Sequence, residues 1–404
     1  MIYIAKALLV VCLLLSFNLE AEVMRSGERV TIESAVLGEK REVQVLLPEG
    51  YHAEKESTYP VIYLLDGDYN FHGISGMLDL LANKGELVPK VILVGIADKG
   101  TATYRKNMAP TEQADKFLAF MNEELKTLIN KEYRTAKHNI LVGHSIGGLF
   151  VINTLLESPQ SFDNYISISP SAWYEDDLIV KKAREQIQNI EPSVGVYISV
   201  ADEVKMSIYS LINEFDYHAK KNLDWHFKRY LDENHNSTGL IALRDVLKQI
   251  FKGWHLNEKQ AESNSPEQTI EYYKAMLTDL GFNQSIPSGI VHILIRQHYR
   301  QDRANQLSSF ISSVIKQMPA SASIMLIKQA SFVGFYDSKE AALGILLARE
   351  AEFSDSIEYQ KAIANTYKQL DNMAKAKLHY QRALKLAKKQ KVAQWQFNII
   401  NEYL

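Results

Sequence analysis

Five short apolar runs constrain the chain more than any other feature. They are VIYLLDG at 61–67, VILVGI at 91–96, NILVGH at 139–144, YISIS at 165–169 and VGVYISV at 194–200. Each is short, rich in Val or Ile and without a polar face. Strands covered on both sides read this way, and such strands belong to parallel sheets flanked by helices. Helical spacing fills the gaps: Phe117 to Leu128, Leu149 to Leu156 and Ile208 to His218 repeat their apolar residues at three and four. Upstream, VTIESAVLG and REVQVLLPEGY alternate apolar and polar residues and read as a strand pair closed by Pro48-Glu49-Gly50. Alternating strands and helices over 22–254 predict one α/β unit with a mainly parallel sheet.

The chain opens differently. Residues 1–21 carry one early positive charge, Lys6, then an apolar run from Ala7 to Phe17, then Leu19-Glu20-Ala21. This pattern predicts a secretory signal peptide over 1–21 and a periplasmic or secreted protein. The run falls short of the roughly 20 apolar residues a membrane-spanning helix needs, so no membrane span is expected in the mature chain. The single cysteine, Cys12, lies inside the run. A disulfide framework, a thiolate metal site and a cysteine nucleophile are thereby set aside. A formal net charge of −3 argues against nucleic-acid binding.

Residues 255–268, HLNEKQAESNSPEQ, are polar, lack apolar periodicity and read as a linker. From 269 to 404 only helical spacing appears. Ile363, Ala364, Tyr367, Ala376, Tyr380 and Ala383 fall where a tetratricopeptide-like repeat places its packing residues. Phe332, Ala341, Ile345 and Ala348 suggest a second, weaker copy. An all-α tetratricopeptide-like region is therefore expected over 269–404. Its concave face would suit a protein partner, which leaves a binding scaffold as the alternative function.

The chemistry concentrates at NILVGHSIGGLF. Gly143-His144-Ser145-Ile146-Gly147 is G-x-S-x-G with an apolar strand before it and an apolar helix after it. That context defines a nucleophile elbow, in which a sharp strand-to-helix turn exposes the serine Oγ. Serine is a weak nucleophile and needs a base. In this architecture the base follows the acid late in the chain. A strand at 225–231, a polar loop at 232–237 and a helix at 238–251 present His235 in the loop. His218 falls on a helix face and His226 in a strand, whereas His144 adjoins the serine and His72 follows an early strand. The acid is expected just after VGVYISV, where Asp202 and Glu203 both stand. Glu203, one residue further from the strand end, is preferred, with Asp232 and Glu233 as fallbacks. An oxyanion hole needs two backbone N–H groups. Ile146 supplies one, and the loop Asp66-Gly67-Asp68-Tyr69 the other. No H-E-x-x-H motif or phosphate loop appears, so neither metal nor cofactor is expected.

Taken together, VIYLLDGDYNF, YRKNMAPT, the elbow, ISISPSAWY and the His235 loop resemble an esterase family of α/β-hydrolases. Siderophore esterases, S-formylglutathione hydrolases and mycolyltransferases belong to that family. The resemblance covers about 28–254. It implies ester hydrolysis with Ser145 as nucleophile and His235 as base, and a small-molecule ester as substrate. By position it implies the Asp68 N–H as second oxyanion donor. Ser169-Pro170-Ser171-Ala172-Trp173 matches the family's S-P-S-x-W stretch, which puts Trp173, with Gly67, at the substrate pocket.

Overall fold

The structure is a computed structural model and describes residues 27–404 apart from 99, 191–192, 205 and 393. The expected leader and Cys12 lie outside the described residues. Eight strands form one sheet: β1 (Glu28–Ser34), β2 (Glu39–Leu46), β3 (Tyr59–Leu65), β4 (Ile92–Ile96), β5 (Thr135–His144), β6 (Asn164–Ile168), β7 (Gly195–Val200) and β8 (Asp224–Arg229). Their order is β1-β2-β4-β3-β5-β6-β7-β8. β1 and β2 pair antiparallel, as do β2 and β4; every pairing from β4 to β8 is parallel. This is the mainly parallel α/β sheet that the apolar runs predict, in the α/β-hydrolase arrangement that the elbow and the resemblance imply.

The runs lack a polar face because both faces are covered. Ile62, Leu64, Ile140 and Val142 point into one core, and Val61, Tyr63, Leu65 and Leu141 into the other. The crossover helices are α1 (Gly67–Leu78), α2 (Thr101–Met108), α3 (Glu112–Ala119), α4 (Lys126–Glu132), α5 (Ile146–Glu157), α6 (Tyr174–Gln186) and α7 (Ile208–His218), and α8 (Thr238–Ile250) follows the last strand. The helix expected over Phe117–Leu128 is longer and irregular. α3 runs into a π-turn at Phe120–Leu125 and then into α4. A wider turn keeps apolar residues inward while departing from the 3.6 count, so spacing alone misses it.

Residues 255–268 are largely helical. α9 (Glu258–Ser263) begins at Asn257 and α10 (Pro266–Leu280) at Ser265. Each start is a capping box in which the cap side chain and a glutamine three residues later satisfy each other's backbone N–H. Such turns are fixed by polar side chains and show no apolar periodicity. Among the described residues seven further helices follow: α11 (Ser288–Arg300), α12 (Leu307–Gln317), α13 (Ala322–Tyr336), α14 (Lys339–Leu347), α15 (Ile357–Gln369), α16 (Met373–Gln390) and α17 (Gln394–Asn401). Ile363, Ala364, Tyr367, Ala376, Tyr380 and Ala383 are all buried on the α15–α16 pair. In the weaker copy Phe332 is buried, but the helix that follows is out of phase. Ala341 and Ile345 are half-buried and Ala348 is exposed, whereas Ala342 and Leu346 face inward. The Ser338 cap, which accepts from the Ala341 N–H, sets that phase.

The helical region shares a core with the sheet. Trp254 packs its ring on Tyr273 and Phe282, and Phe251 packs on Phe282. Gln284, buried, donates to the carbonyls of Lys90 and Thr58 and accepts from the Lys90 N–H. Thr58 donates its own N–H to the Asn283 carbonyl at 2.7 Å. These contacts lie just before β3 and β4, at the N-terminal ends of the parallel strands. The helices therefore brace the end of the sheet opposite the one that carries Ser145.

Candidate active site

β3 and β5 are parallel neighbours, with Leu64 opposite Val142. The chain leaves β3 toward β4 on one side and returns to β5 on the other, so the strand order reverses between them. Open α/β sheets bind ligands at the carboxyl ends of strands beside such a switch point. Ser145 follows β5 there, and the Asp66–Tyr69 loop follows β3.

Ser145 has φ 56° and ψ −117°, an unfavourable conformation for a residue with a side chain. Its surroundings impose it. The Ser145 N–H donates to the Ile168 carbonyl at 2.9 Å, and its carbonyl accepts from Leu149 and Ser171. A methyl group on Gly143 would lie 2.3 Å from the Gly147 carbonyl oxygen, so only glycine allows the strand and helix to approach this closely.

Three side chains from three strand ends meet. The Ser145 Oγ lies 3.0 Å from the His235 Nε2, and the His235 Nδ1 lies 2.7 Å from the Glu203 Oε1. Glu203 follows β7, and His235 stands between β8 and α8, as the chain order predicts. A carboxylate accepts only, so Nδ1 carries the proton and Nε2 is left to accept from the serine. The Glu203 side chain is 12% exposed and that of His235 34%. The arrangement can take a proton from Ser145 and hold the resulting imidazolium against a carboxylate.

Asp202 is elsewhere. Its side chain pairs with Arg229 at 2.7 Å and is 60% exposed. Its backbone N–H donates to the Glu233 carbonyl, which ties the acid loop to the histidine loop. Glu233 accepts from the Ser237 hydroxyl, and Asp232 is exposed. His226 pairs with Asp224, and His218 with Glu214. His144 packs its ring 4.6 Å from that of His235. Burial, and then the neighbouring His235, push His144 down to about 4, so it is uncharged at neutral pH.

Ile146 and Asp68 sit in the first turns of α5 and α1, where amide groups have no partner within the helix. Both helix N-termini end on adjacent strands, and both favour developing negative charge. Asp66 precedes α1 in the left-handed region, with φ 57°. Burial, followed by Asp98 and Asp68, pushes its carboxyl up to about 6. Gly67 opens α1 directly after β3. It is buried, and a methyl there would lie 2.7 Å from the Gly95 carbonyl carbon. It allows close packing of α1 on β4. Trp173 is 51% exposed two residues beyond Ser171. Ser171, quoted in the sequence only as part of a stretch, is the residue missed: its Oγ is 3.3 Å from the Ser145 Oγ.

A cleft of about 2220 Å³ separates the β1–β2–α1 side from the helical region and reaches Arg29 and His72. Ser145, His235 and Glu203 are not among its walls. Among the described residues, no group of three or more His, Cys, Asp or Glu could hold a metal ion, and no helix is long and apolar enough to cross a membrane.

Strand order, elbow and the Ser145–His235–Glu203 contact define an α/β-hydrolase. Residues 34–258, more than half of the chain, match the family described as "Putative esterase", and the chain belongs to that family. It is 33% identical over 150 residues to the ferri-bacillibactin esterase BesA of Bacillus subtilis (strain 168), a match spanning 31% of this chain and 52% of that protein. The chain thus spans about half the length of this curated relative. Among solved structures, an IroE-like serine hydrolase from Shewanella oneidensis superposes with a TM-score of 0.55 at 27% identity, covering 70% of this chain and 98% of that one. An uncharacterised protein from Capnocytophaga ochracea superposes over 88% of this chain and 93% of its own, with a TM-score of 0.50 at 15% identity. That likeness is one of fold, and it extends past the esterase match into the helical region.

Proposed function

We propose that this chain is a periplasmic or secreted serine hydrolase that cleaves carboxylic esters, with siderophore esters as its substrate class. The observation that carries the reading is the continuous path Glu203–His235–Ser145, at 2.7 and 3.0 Å, on a strained strand-to-helix turn. The names of the relatives support the substrate class, and the leader pattern at 1–21 supports export.

Ser145 Oγ attacks the ester carbonyl carbon while His235 Nε2 accepts its proton. Glu203 holds the imidazole in the tautomer that can accept and stabilises the cation. The Ile146 and Asp68 amides donate to the carbonyl oxygen as it becomes an oxyanion. Collapse expels the alcohol, which takes the proton from His235. Water then attacks the acyl-serine with His235 again as base, releasing the acid and restoring Ser145. Trp173 flanks the acyl or alcohol part. A scaffold alone would have no need of a buried carboxylate aligned on a histidine and a strained serine, so the enzyme reading outranks it.

Ser145→Ala is expected to abolish hydrolysis of short-chain aryl esters and labelling by a fluorophosphonate. Retained labelling at wild-type rate would remove Ser145 from the mechanism. A panel of siderophore esters and aryl esters of graded acyl length separates the substrate class from a general esterase.

A further inference from the structure

The proton on Nδ1 fixes more than the histidine. With Nε2 accepting from Ser145, the one hydroxyl proton of Ser145 is committed to His235. The 3.3 Å contact between the Ser145 and Ser171 hydroxyls can then run in one direction only: Ser171 donates and the nucleophile accepts. Ser171 is 4% exposed, so water competes little for that bond. Its backbone N–H also donates to the Ser145 carbonyl at 3.1 Å. One residue therefore holds the nucleophile at both its main chain and its reacting atom. The two preceding alternate serines have structural bonds: Ser167 Oγ to the Gly148 carbonyl, and the Ala201 N–H to Ser169 Oγ. Ser171 alone of the three touches Ser145 Oγ.

We propose that Ser171 is a catalytic residue that speeds release of the acyl group from Ser145 rather than its capture. The inference rests on Ser145 being the nucleophile. In the free enzyme Ser145 Oγ is a hydroxyl oxygen and a good acceptor. In the acyl-enzyme it is an ester oxygen and a poor one. When the second tetrahedral intermediate collapses, the C–Oγ bond breaks, its electron pair returns to Oγ, and His235 Nε2–H delivers the proton. Negative charge builds on Oγ during that step, and the Ser171 hydrogen bond strengthens with it. During acylation the bond is already made to the free hydroxyl before attack, so it gains less there than in release, which starts from the poorly accepting ester oxygen. An interaction raises a rate only where it is stronger in the transition state than in the state before it. Ser171 keeps its own proton throughout.

The test is Ser171→Ala in the full chain, assayed on p-nitrophenyl acetate by steady-state and rapid-mixing kinetics. The backbone N–H that grips Ser145 is retained. The expected result is a fall in kcat of about tenfold, the usual scale of one hydrogen bond to a developing charge. KM should fall with it, kcat/KM should stay within threefold, and a full burst of p-nitrophenol should appear as acyl-enzyme accumulates. The fluorophosphonate labelling rate, which reports only attack by Ser145, should stay near wild type and doubles as proof of folding. Ser171→Cys, nearly the same shape with a weak donor, should show the same pattern if the alanine variant does not fold. An unchanged kcat, or kcat/KM and labelling falling together with kcat, overturns the proposal. Hydrolysis surviving Ser145→Ala would instead overturn the reading it rests on, which keeps the two failures distinct.

Discussion

Replacing Glu203 by Gln isolates the charge in the Glu203–His235 contact. The side chains are nearly the same size, and Gln keeps an oxygen that can accept from Nδ1–H. What it lacks is negative charge beside an imidazole that becomes cationic when it takes the Ser145 proton. The contact is 2.7 Å and the Glu203 side chain is 12% exposed, so the surroundings screen it weakly. A hydrogen bond to a charged group is worth about 1.5–3 kcal/mol. With roughly 1.4 kcal/mol per decade of rate, kcat should fall about 10- to 150-fold with little change in KM. The matched control is Asp202→Asn. Asp202 is 60% exposed and pairs with Arg229. Such surface pairs contribute at most about 1 kcal/mol to stability, and kcat should move by less than about twofold. Initial rates on an aryl ester, with protein normalised by fluorophosphonate titration, decide the matter. The reasoning fails if Glu203→Gln stays within threefold of wild type, or if Asp202→Asn costs as much.

Other residues give separate tests. The Asp66 carboxyl is pushed up to about 6 by burial, with Asp98 and Asp68 adding to it. The unfolded chain ionises that group near pH 4 and the folded chain only near 6, so stability is lost as pH rises across that interval and stays lost above it. Asp66→Asn should therefore stabilise by about 1 kcal/mol at pH 8, after allowance for partial solvent exposure, and by nothing at pH 3.5. Thermal melts at both values check this, and an equal gain at both would refute it. Gln284→Ala leaves the half-buried Lys90 N–H and the Lys90 and Thr58 carbonyls without this partner. It should cost about 2–4 kcal/mol in urea unfolding while kcat of the folded protein is unchanged. A variant as stable as wild type would mean that this contact does not hold the helices to the sheet.

The sheet was legible because a buried parallel strand advertises itself in composition: no surface is left for a polar residue. Ser145 was legible because a strained turn demands glycine on both sides, and His235 because one polar loop remained between the last strand and its helix. Glu203 and Asp202 could not be parted by sequence. Which of two adjacent side chains turns toward His235 depends on the pleat at the end of β7, and on Arg229, which captures the other from β8. The Ser171 contact depends on how β6 lies against β5, a relation that no local spacing carries. The packing of Gly67 is hidden for a related reason: an Asp-Gly turn looks the same whether or not its glycine lies against another backbone, here that of Gly95. Residues 255–268 look like a linker in the sequence because their helices are held by polar caps.

The bond from Thr58 to Asn283 has a consequence for synthesis. The backbone ends of β3 and β4 are completed by Asn283 and Gln284, the Gln284 partner of Lys90 lying 194 positions downstream. The esterase portion of the chain ends near residue 258, yet its sheet keeps open hydrogen bonds, and Trp254 an uncovered face, until the ribosome has released the residues up to Gln284. A ribosome stalled at the end of the esterase portion would hold a sheet with one raw end. Protection from proteolysis on such stalled chains should rise sharply only once residue 284 has left the exit tunnel. Time, as well as space, binds the two parts of this protein together.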